Sequence, residues 1–429
     1  MSFQASIKRF AGSAIGRNVF SLYVLHFANY LLPLVTVPYL VRVLGPEKFG
    51  TVAFGQSLTG YFVLVIGYAF ELSGTRRIAV NRDRIDVISR TACAIWAART
   101  LLFVGNLVVL LSLIALAPKL RHVWLLLLVL YAGAAGSVLG PGWLLQGMER
   151  MTAVSLISLG SSFLRAVAIF VFVRGPADFV LYAGINSLQT MLAGLAGIAF
   201  AFWVLRVRLV LPAWSDIRGV FADGWALFLS HGAISLFTTG NSFILGMLAT
   251  HGAVGYYAAA EKVINSASGL CGPVAAAFYP RSSYLATVSK RRALESGRRL
   301  LLAMGCLGGL LSACVFFGGG LITRILLGAT YARSADVMRI LAPFILINAV
   351  TNVFGIQIMV PFGRDRAFRN ILTVAGVGNI ALAMLLVPRL AERGTALAML
   401  TSGIVVTLGQ ILYLYRAGLL PSRAAAAAA

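Results

Sequence analysis

The chain is written as long apolar runs parted by short polar ones. Nearly unbroken apolar stretches recur at 18–41, 49–70, 93–117, 123–145, 153–173, 178–204, 219–248, 252–279, 300–322, 337–361, 370–388 and 395–415. A helix needs about 20 apolar residues to cross a bilayer core of about 30 Å. Each run therefore predicts one crossing, and the chain predicts twelve. The first run, read from 27 to 50 as FANYLLPLVTVPYLVRVLGPEKFG, carries two prolines, Pro33 and Pro38. Proline inside a span is tolerated where neighbours or a water-filled cavity satisfy the carbonyls it frees. Pro33, Pro38 and Pro273 are thus kink or hinge candidates beside a cavity, and Pro343 adds to them. Gly133, Gly136, Gly194 and Gly197 let helices approach closely.

Sliding the chain on itself by 205 positions gives a weak self-match without gaps. His26 meets His231, Ala28 meets Ala233, Leu31 meets Leu236, Leu40 meets Leu245, Gly50 meets Gly255 and Ala53 meets Ala258. Six spans separate the copies, so both enter the membrane in the same sense. That pattern predicts parallel repeats about an axis along the membrane normal. The expected organisation is all-α and polytopic, with two six-helix lobes. An N-lobe spans 1–204, a connection 205–218, a C-lobe 219–416, and a tail 417–429 whose terminal alanines are set aside.

Composition agrees with the pattern: 59% of residues are hydrophobic and 11% charged, with a mean hydropathy of +0.89. No soluble domain has this balance. The net charge of +23 is not gathered on a soluble face, so nucleic-acid binding is not expected. It reports orientation instead. With the N-terminus in the cytoplasm, 23 basic residues fall on the cytoplasmic side, 10 on the opposite side and three inside spans. The positive-inside rule then places both termini in the cytoplasm. Residues 1–17 are polar and basic and the first apolar run is a full span, so no cleavable signal is expected. Cys93, Cys271, Cys306 and Cys314 lack ligand spacing and read as small apolar residues.

The sequence has no Walker A loop, HExxH, GxSxG or metal cluster, so transport is expected rather than catalysis. Charges inside spans are costly and usually face a bundle interior. Arg165, in SSFLRAVAIF, either lines the cavity or anchors a structural hydrogen bond. Arg99 lies nearer a span end and lines the cavity or snorkels. Lys262 and Glu261 are neighbours on a helix and do not face each other. Lys262 is the cavity candidate; Glu261 either pairs with a basic neighbour or couples transport to an ion or proton. His26 and His231 form either a titratable pair on the cavity axis or a neutral interhelical contact. The interior candidates are mostly cationic, which favours an anionic substrate.

Longer motifs then carry a resemblance. NYLLPLVTVPYLVRVLGPEKFGTVAFGQSLTGYFVLVIGYAFELSGTRRIA resembles the N-terminal signature of the Wzx-type O-antigen and polysaccharide flippases. These belong to the multidrug/oligosaccharidyl-lipid/polysaccharide exporter superfamily. GPGWLLQGMERM, YYAAAEKVIN and LLGATYARSADVMRILAP resemble later segments of the same family, in order. Glu71 stands where the family usually has an uncharged residue, and Ala329 follows Gly328 where it often has Glu.

The resemblance implies a MATE-like fold of twelve helices and alternating access in a bacterial inner membrane. The implied cargo is an undecaprenyl-diphosphate-linked oligosaccharide, moved from the cytoplasmic to the periplasmic leaflet. No cofactor is expected, and a proton or sodium gradient is the expected energy source. Expected partners are the lipid-linked glycan, membrane lipids, and polysaccharide polymerase or assembly proteins. The alternatives are a multidrug/cation antiporter, which would want acidic cavity residues, and a lipid II-type flippase, which would be longer. A membrane polymerase or ligase would want a large external loop.

Overall fold

Inside a bilayer every backbone N–H and C=O must be satisfied by the chain itself, and a helix does this within one segment. The computed structural model describes the backbone of residues 14–420. Side chains are described there except at 14–31, 33, 34, 226, 230, 231 and 233–239. Among the described residues every regular element is helical. In chain order the main helices are α1 (Ala14–Gly67), α2 (Phe70–Val80), α3 (Ile85–Leu116), α4 (Trp124–Leu139), α5 (Gly142–Gly147), α6 (Met151–Phe172) and α7 (Phe179–Trp203). There follow α8 (Trp214–Leu248), α9 (His251–Gly269), α10 (Gly272–Val288), α11 (Lys290–Ile322), α12 (Ala332–Asn352) and α13 (Asp365–Arg416).

Two of these are too long for one crossing. At 1.5 Å per residue α1 would measure about 81 Å and α13 about 78 Å, against a hydrocarbon core of about 30 Å. Both contain a non-helical residue. In α1 it is Gly45 (φ 69°, ψ 170°), followed by Pro46, whose missing N–H costs nothing at the first position of a new helix. In α13 it is Ala391 (φ 45°, ψ −123°). The backbone at Pro33 and Pro38 is helical, and the chain breaks further on, at Gly45. Pro273 sits in the first turn of α10, where the stretch expected as a single span divides into α9 and α10. A further break separates α1 from α2, with Tyr68 and Ala69 at positive φ.

Eight helical stretches are long and apolar enough to cross a membrane: Val35–Val80, Ile85–Leu116, Trp124–Gly147, Met151–Phe172, Pro176–Trp203, Lys290–Leu327, Ala329–Met359 and Asp365–Arg416. Large apolar side chains cover their outside. On α3, Leu101, Val104, Val108 and Leu111 are all exposed at helical spacing. A soluble protein does not show such belts; lipid is the solvent that accepts them. The chain is a multi-pass, all-helical membrane protein.

The chain divides into two compact units. One takes in residues through Leu44 and Gly55–Gly232; the other takes in Gly45–Phe54 and the chain from Ala233. The division between these units falls inside α8. The first half of α8 stays with the first unit because Phe221 and Phe228 pack on the ring of Tyr68, with centroids 4.9 and 4.6 Å away. That unit's core also holds Phe70, Ile95 and Trp143. The second unit is centred on Met304, Val353, Phe354, Ile358 and Leu414.

Within the second unit, the N-terminal turn that follows Gly45 crosses the N-terminal turn of α9. A Cβ at Gly50 would collide with the His251 carbonyl, and one at Gly255 would collide with the Pro46 carbonyl. Pro46 and His251 are themselves 205 positions apart, as Gly50 and Gly255 are. The contact is therefore self-complementary under the same shift that the sequence shows, in the manner of an isologous interface. Neither glycine lies at positive φ; each is required by the closeness of the other backbone.

Candidate functional site

All four of the charges expected inside spans, Arg99, Arg165, Glu261 and Lys262, have described side chains. Arg165 lies on α6 and is half-buried. Its Nη1 donates to Asn186 Oδ1 on α7 at 3.4 Å, and Asn186 Nδ2 donates to the Tyr182 carbonyl at 2.9 Å. One turn earlier on α6, Ser161 Oγ accepts from Gln189 Nε2 at 3.3 Å. Ser161 and Arg165 share one face of α6, and Tyr182, Asn186 and Gln189 share one face of α7. The result is a polar seam between two otherwise apolar helices. Arg165 has no carboxylate partner among the described residues, and its Nε is buried without a hydrogen-bond acceptor. The seam holds the guanidinium but, among the described residues, leaves its charge uncompensated.

Lys262 and Glu261 lie on α9 in the second unit, both half-buried. Glu261 Oε1 accepts from Tyr257 Oη, one turn earlier, at 3.2 Å. That hydroxyl also lies 3.2 Å from Met399 Sδ on α13. Lys262 makes no ion pair among the described residues. In the same unit three buried polar side chains meet across α8 and both arms of α13. Asn379 Nδ2 donates to Asn241 Oδ1 at 2.7 Å, and Ser402 Oγ donates to Asn379 Oδ1 at 3.2 Å. Nothing local marks these residues: Asn241 and Asn379 are 138 positions apart.

Arg99 behaves differently from the cavity-lining or snorkelling side chain expected of it. It is 2% exposed. Its Nη1 donates to the carbonyls of Ser137 at 2.9 Å and Gly140 at 2.8 Å. Its Nη2 pairs with Glu71 Oε1 at 2.9 Å, and the guanidinium lies 5.9 Å from the Phe70 ring centroid. The two carbonyls belong to the C-terminal end of α4, where the helix dipole is negative and a cation is favoured. Glu71 sits in the first turn of α2, where an anion is favoured for the converse reason. Arg99 thus ties together two helix breaks, Tyr68–Ala69 and Gly140–Pro141. Glu71, unexpected at its place in the resemblance, is the other half of this tie. Replacing Arg99 with Met strands two carbonyls and leaves Glu71 unpaired. Each stranded buried acceptor costs about 1–3 kcal/mol. Glu71 is half-exposed and water screens its share. We expect a loss of about 2–4 kcal/mol in stability, read as a lower thermal midpoint in detergent. Arg99→Lys keeps the charge but not the fork, and should fall between.

Arg99 and Arg165 belong to the first unit and contact different helices; Lys262 and Glu261 belong to the second. Pro273 marks the α9–α10 break. The side chains of His26, His231 and Pro33 lie outside the described residues, and Pro38 lies within helical backbone. Among the described residues no group of His, Cys, Asp or Glu is placed to hold a metal ion.

The sequence profile of the family described as "Polysaccharide biosynthesis protein" matches residues 15–286. An Escherichia coli (strain K12) protein, provisionally named as an O-antigen transporter, is 31% identical over 397 residues, covering 92% of this chain and 95% of the relative. Among solved structures, the lipid II flippase MurJ in an inward closed conformation superposes with a TM-score of 0.70 at 10% identity, covering 92% of this chain and 87% of the other. An inward-facing MATE family multidrug resistance transporter of the MOP superfamily gives 0.69 at 15% identity, covering 91% and 95%. These structures bear on the fold, which is that of MATE and MurJ proteins. The profile and the E. coli relative bear on descent, and by them the chain belongs to the polysaccharide biosynthesis protein family.

Proposed function

We propose that the chain is a flippase for undecaprenyl-diphosphate-linked oligosaccharides in a bacterial inner membrane. It carries the sugar head group from the cytoplasmic to the periplasmic leaflet by alternating access. The chain crosses twelve times with both termini in the cytoplasm, and the isoprenoid tail stays in lipid. The relatives provisionally named as O-antigen transporters support the substrate class. The observation that carries the reading is Arg165: a guanidinium within an apolar helix, held by a neutral amide and facing no carboxylate among the described residues. A charge at such depth costs about 2.5–3.5 kcal/mol on insertion scales. A structural anchor would be cheaper as a neutral residue, whereas a diphosphate offers the missing counter-charge. Lys262 supplies a second cation, and Arg99 positions the helix breaks.

Ligand binding shifts a two-state equilibrium only by its differential affinity for the two states, so net export draws on a proton or sodium gradient. Glu261, hydrogen-bonded to Tyr257 beside Lys262, is the coupling candidate. The test is made in the native host. Deleting the gene should cause lipid-linked repeat units to accumulate in the cytoplasmic leaflet, and restoring the wild-type copy should clear them. Normal lipid-linked sugars together with new sensitivity to cationic drugs would replace this reading with a multidrug antiporter.

A further inference from the structure

The first unit contains a cleft that the transport reading does not use. It lies between α2 and the first turns of α8 and has a volume of about 430 Å³. The local backbone explains its shape. Tyr68 and Ala69 turn the chain at positive φ and start α2 in a new direction. Gly224 brings α8 against that turn: a Cβ there would lie 3.1 Å from the Tyr68 ring and 3.2 Å from its carbonyl. The residue before it, Asp223, then faces the last turn of α2.

One face of α2 presents Leu72, Arg76, Arg77 and Val80 to the cleft, and one face of α8 presents Asp223 and Leu227. The chemistry is split. Arg77 Nη1 meets Asp223 Oδ2 at a single contact of 3.3 Å, with side chains 39% and 59% exposed. Such a pair is weak and exchangeable. Arg76 has no acidic partner among the described residues. Leu72, Val80 and Leu227 are exposed around these charges, and Trp225, also exposed, is of the residue type that marks a membrane–water interface. A cleft with two guanidiniums and an apolar rim fits an anion attached to a hydrocarbon tail.

We propose that this cleft binds the phosphate of a membrane lipid headgroup, with Arg76 as the standing ligand. Arg77 leaves Asp223 to form the second arm, and the apolar rim receives the first carbons of the tail. Two arginine forks match phosphate oxygens in a way that point charges do not. Asp223 acts against the ligand: it occupies Arg77 and repels the phosphate, so it limits affinity. Placing the cleft at the cytoplasmic face rests on the topology proposed above, but binding itself does not require transport to occur.

The test uses the full chain in nanodiscs of phosphatidylcholine. Phosphatidylglycerol or undecaprenyl phosphate is added, and lipid retention is read by native mass spectrometry. Both lipids should be retained in preference to phosphatidylcholine. The double variant Arg76→Ala/Arg77→Ala should weaken retention about tenfold, the scale of losing charged hydrogen bonds. Asp223→Asn should strengthen it about threefold, by removing a like charge and a competitor. A purely structural ion pair predicts the opposite sign for Asp223→Asn. Inorganic pyrophosphate separates the sources. If it displaces the lipid, phosphate alone is recognised; if it does not, the rim and tail are needed, and either result supports a phosphate site. Equal retention by wild type and the double variant would overturn the proposal. So would weakening by Asp223→Asn. Loss of transport with binding intact would count against the function proposed above and leave this site standing.

Discussion

Transport should fall by about a hundredfold when Arg165 is replaced with alanine, while the amount of protein in the membrane stays at its wild-type level. Truncating one partner of a buried, hydrogen-bonded charge pair costs about 2–5 kcal/mol, and about 2.7 kcal/mol is already a hundredfold. The folded state loses little, because the only side-chain hydrogen bond that Arg165 makes among the described residues is a long one of 3.4 Å to a neutral amide. Removing the guanidinium also removes a buried Nε that has no acceptor. Arg165→Gln should behave like the alanine variant, since it keeps length and polarity but not charge. Arg165→Lys should retain part of the activity, since it keeps charge but not the planar fork. Complementation of a deletion strain, scored by surface polysaccharide and by immunoblot of membranes, separates transport from folding. Full transport by Arg165→Ala would remove the residue from the mechanism.

The second large effect is structural. Gly50→Val and Gly255→Val should each fail to accumulate as folded protein, and the milder Gly50→Ala should lower the thermal midpoint sharply. In both positions the new atom meets backbone, the Gly50 side against His251 and the Gly255 side against Pro46. A crowded side chain can change rotamer, but two crossing helices can only move apart. Overpacking costs about 1–3 kcal/mol where neighbours yield, and here the upper end applies. The double variant Gly50→Ala/Gly255→Ala should cost less than the two singles together. Once the helices have parted for one methyl group, the second finds room, which is the non-additivity expected of groups in contact. An unchanged midpoint in Gly50→Ala would mean that the close approach does not exist in the membrane.

How far the sequence speaks depends on the range of the interaction. Apolar runs of span length make the helices and their membrane setting legible, since both depend on composition alone. Arg165 and Lys262 stand out for the same reason, as charges in apolar surroundings. The helix breaks are harder. Pro33 and Pro38 remove hydrogen bonds, yet the assigned helix continues through both. Gly45 interrupts it, by reaching a positive φ that a side chain resists. Tyr68 and Ala69 reach positive φ without being glycine, so no residue preference announces that turn. Partners distant in sequence are not legible at all. Arg99 reads as a free cation until Glu71, 28 positions away, and two carbonyls of α4 enclose it. The cleft between α2 and α8 depends on a contact between Tyr68 and Gly224 that no period or motif encodes.

The crossing at Gly50 and Gly255 also limits how the two stretches can vary. The contact is main chain on both sides: a carbonyl from one stretch rests on a glycine of the other, twice. Peptide groups are identical whatever side chains they carry. The flanking positions can therefore differ, and Pro46 stands in one stretch where His251 stands in the other. The glycines are not interchangeable in this way, because any β-carbon would part the two helices: the join is written in the two residues that have no side chain to lose.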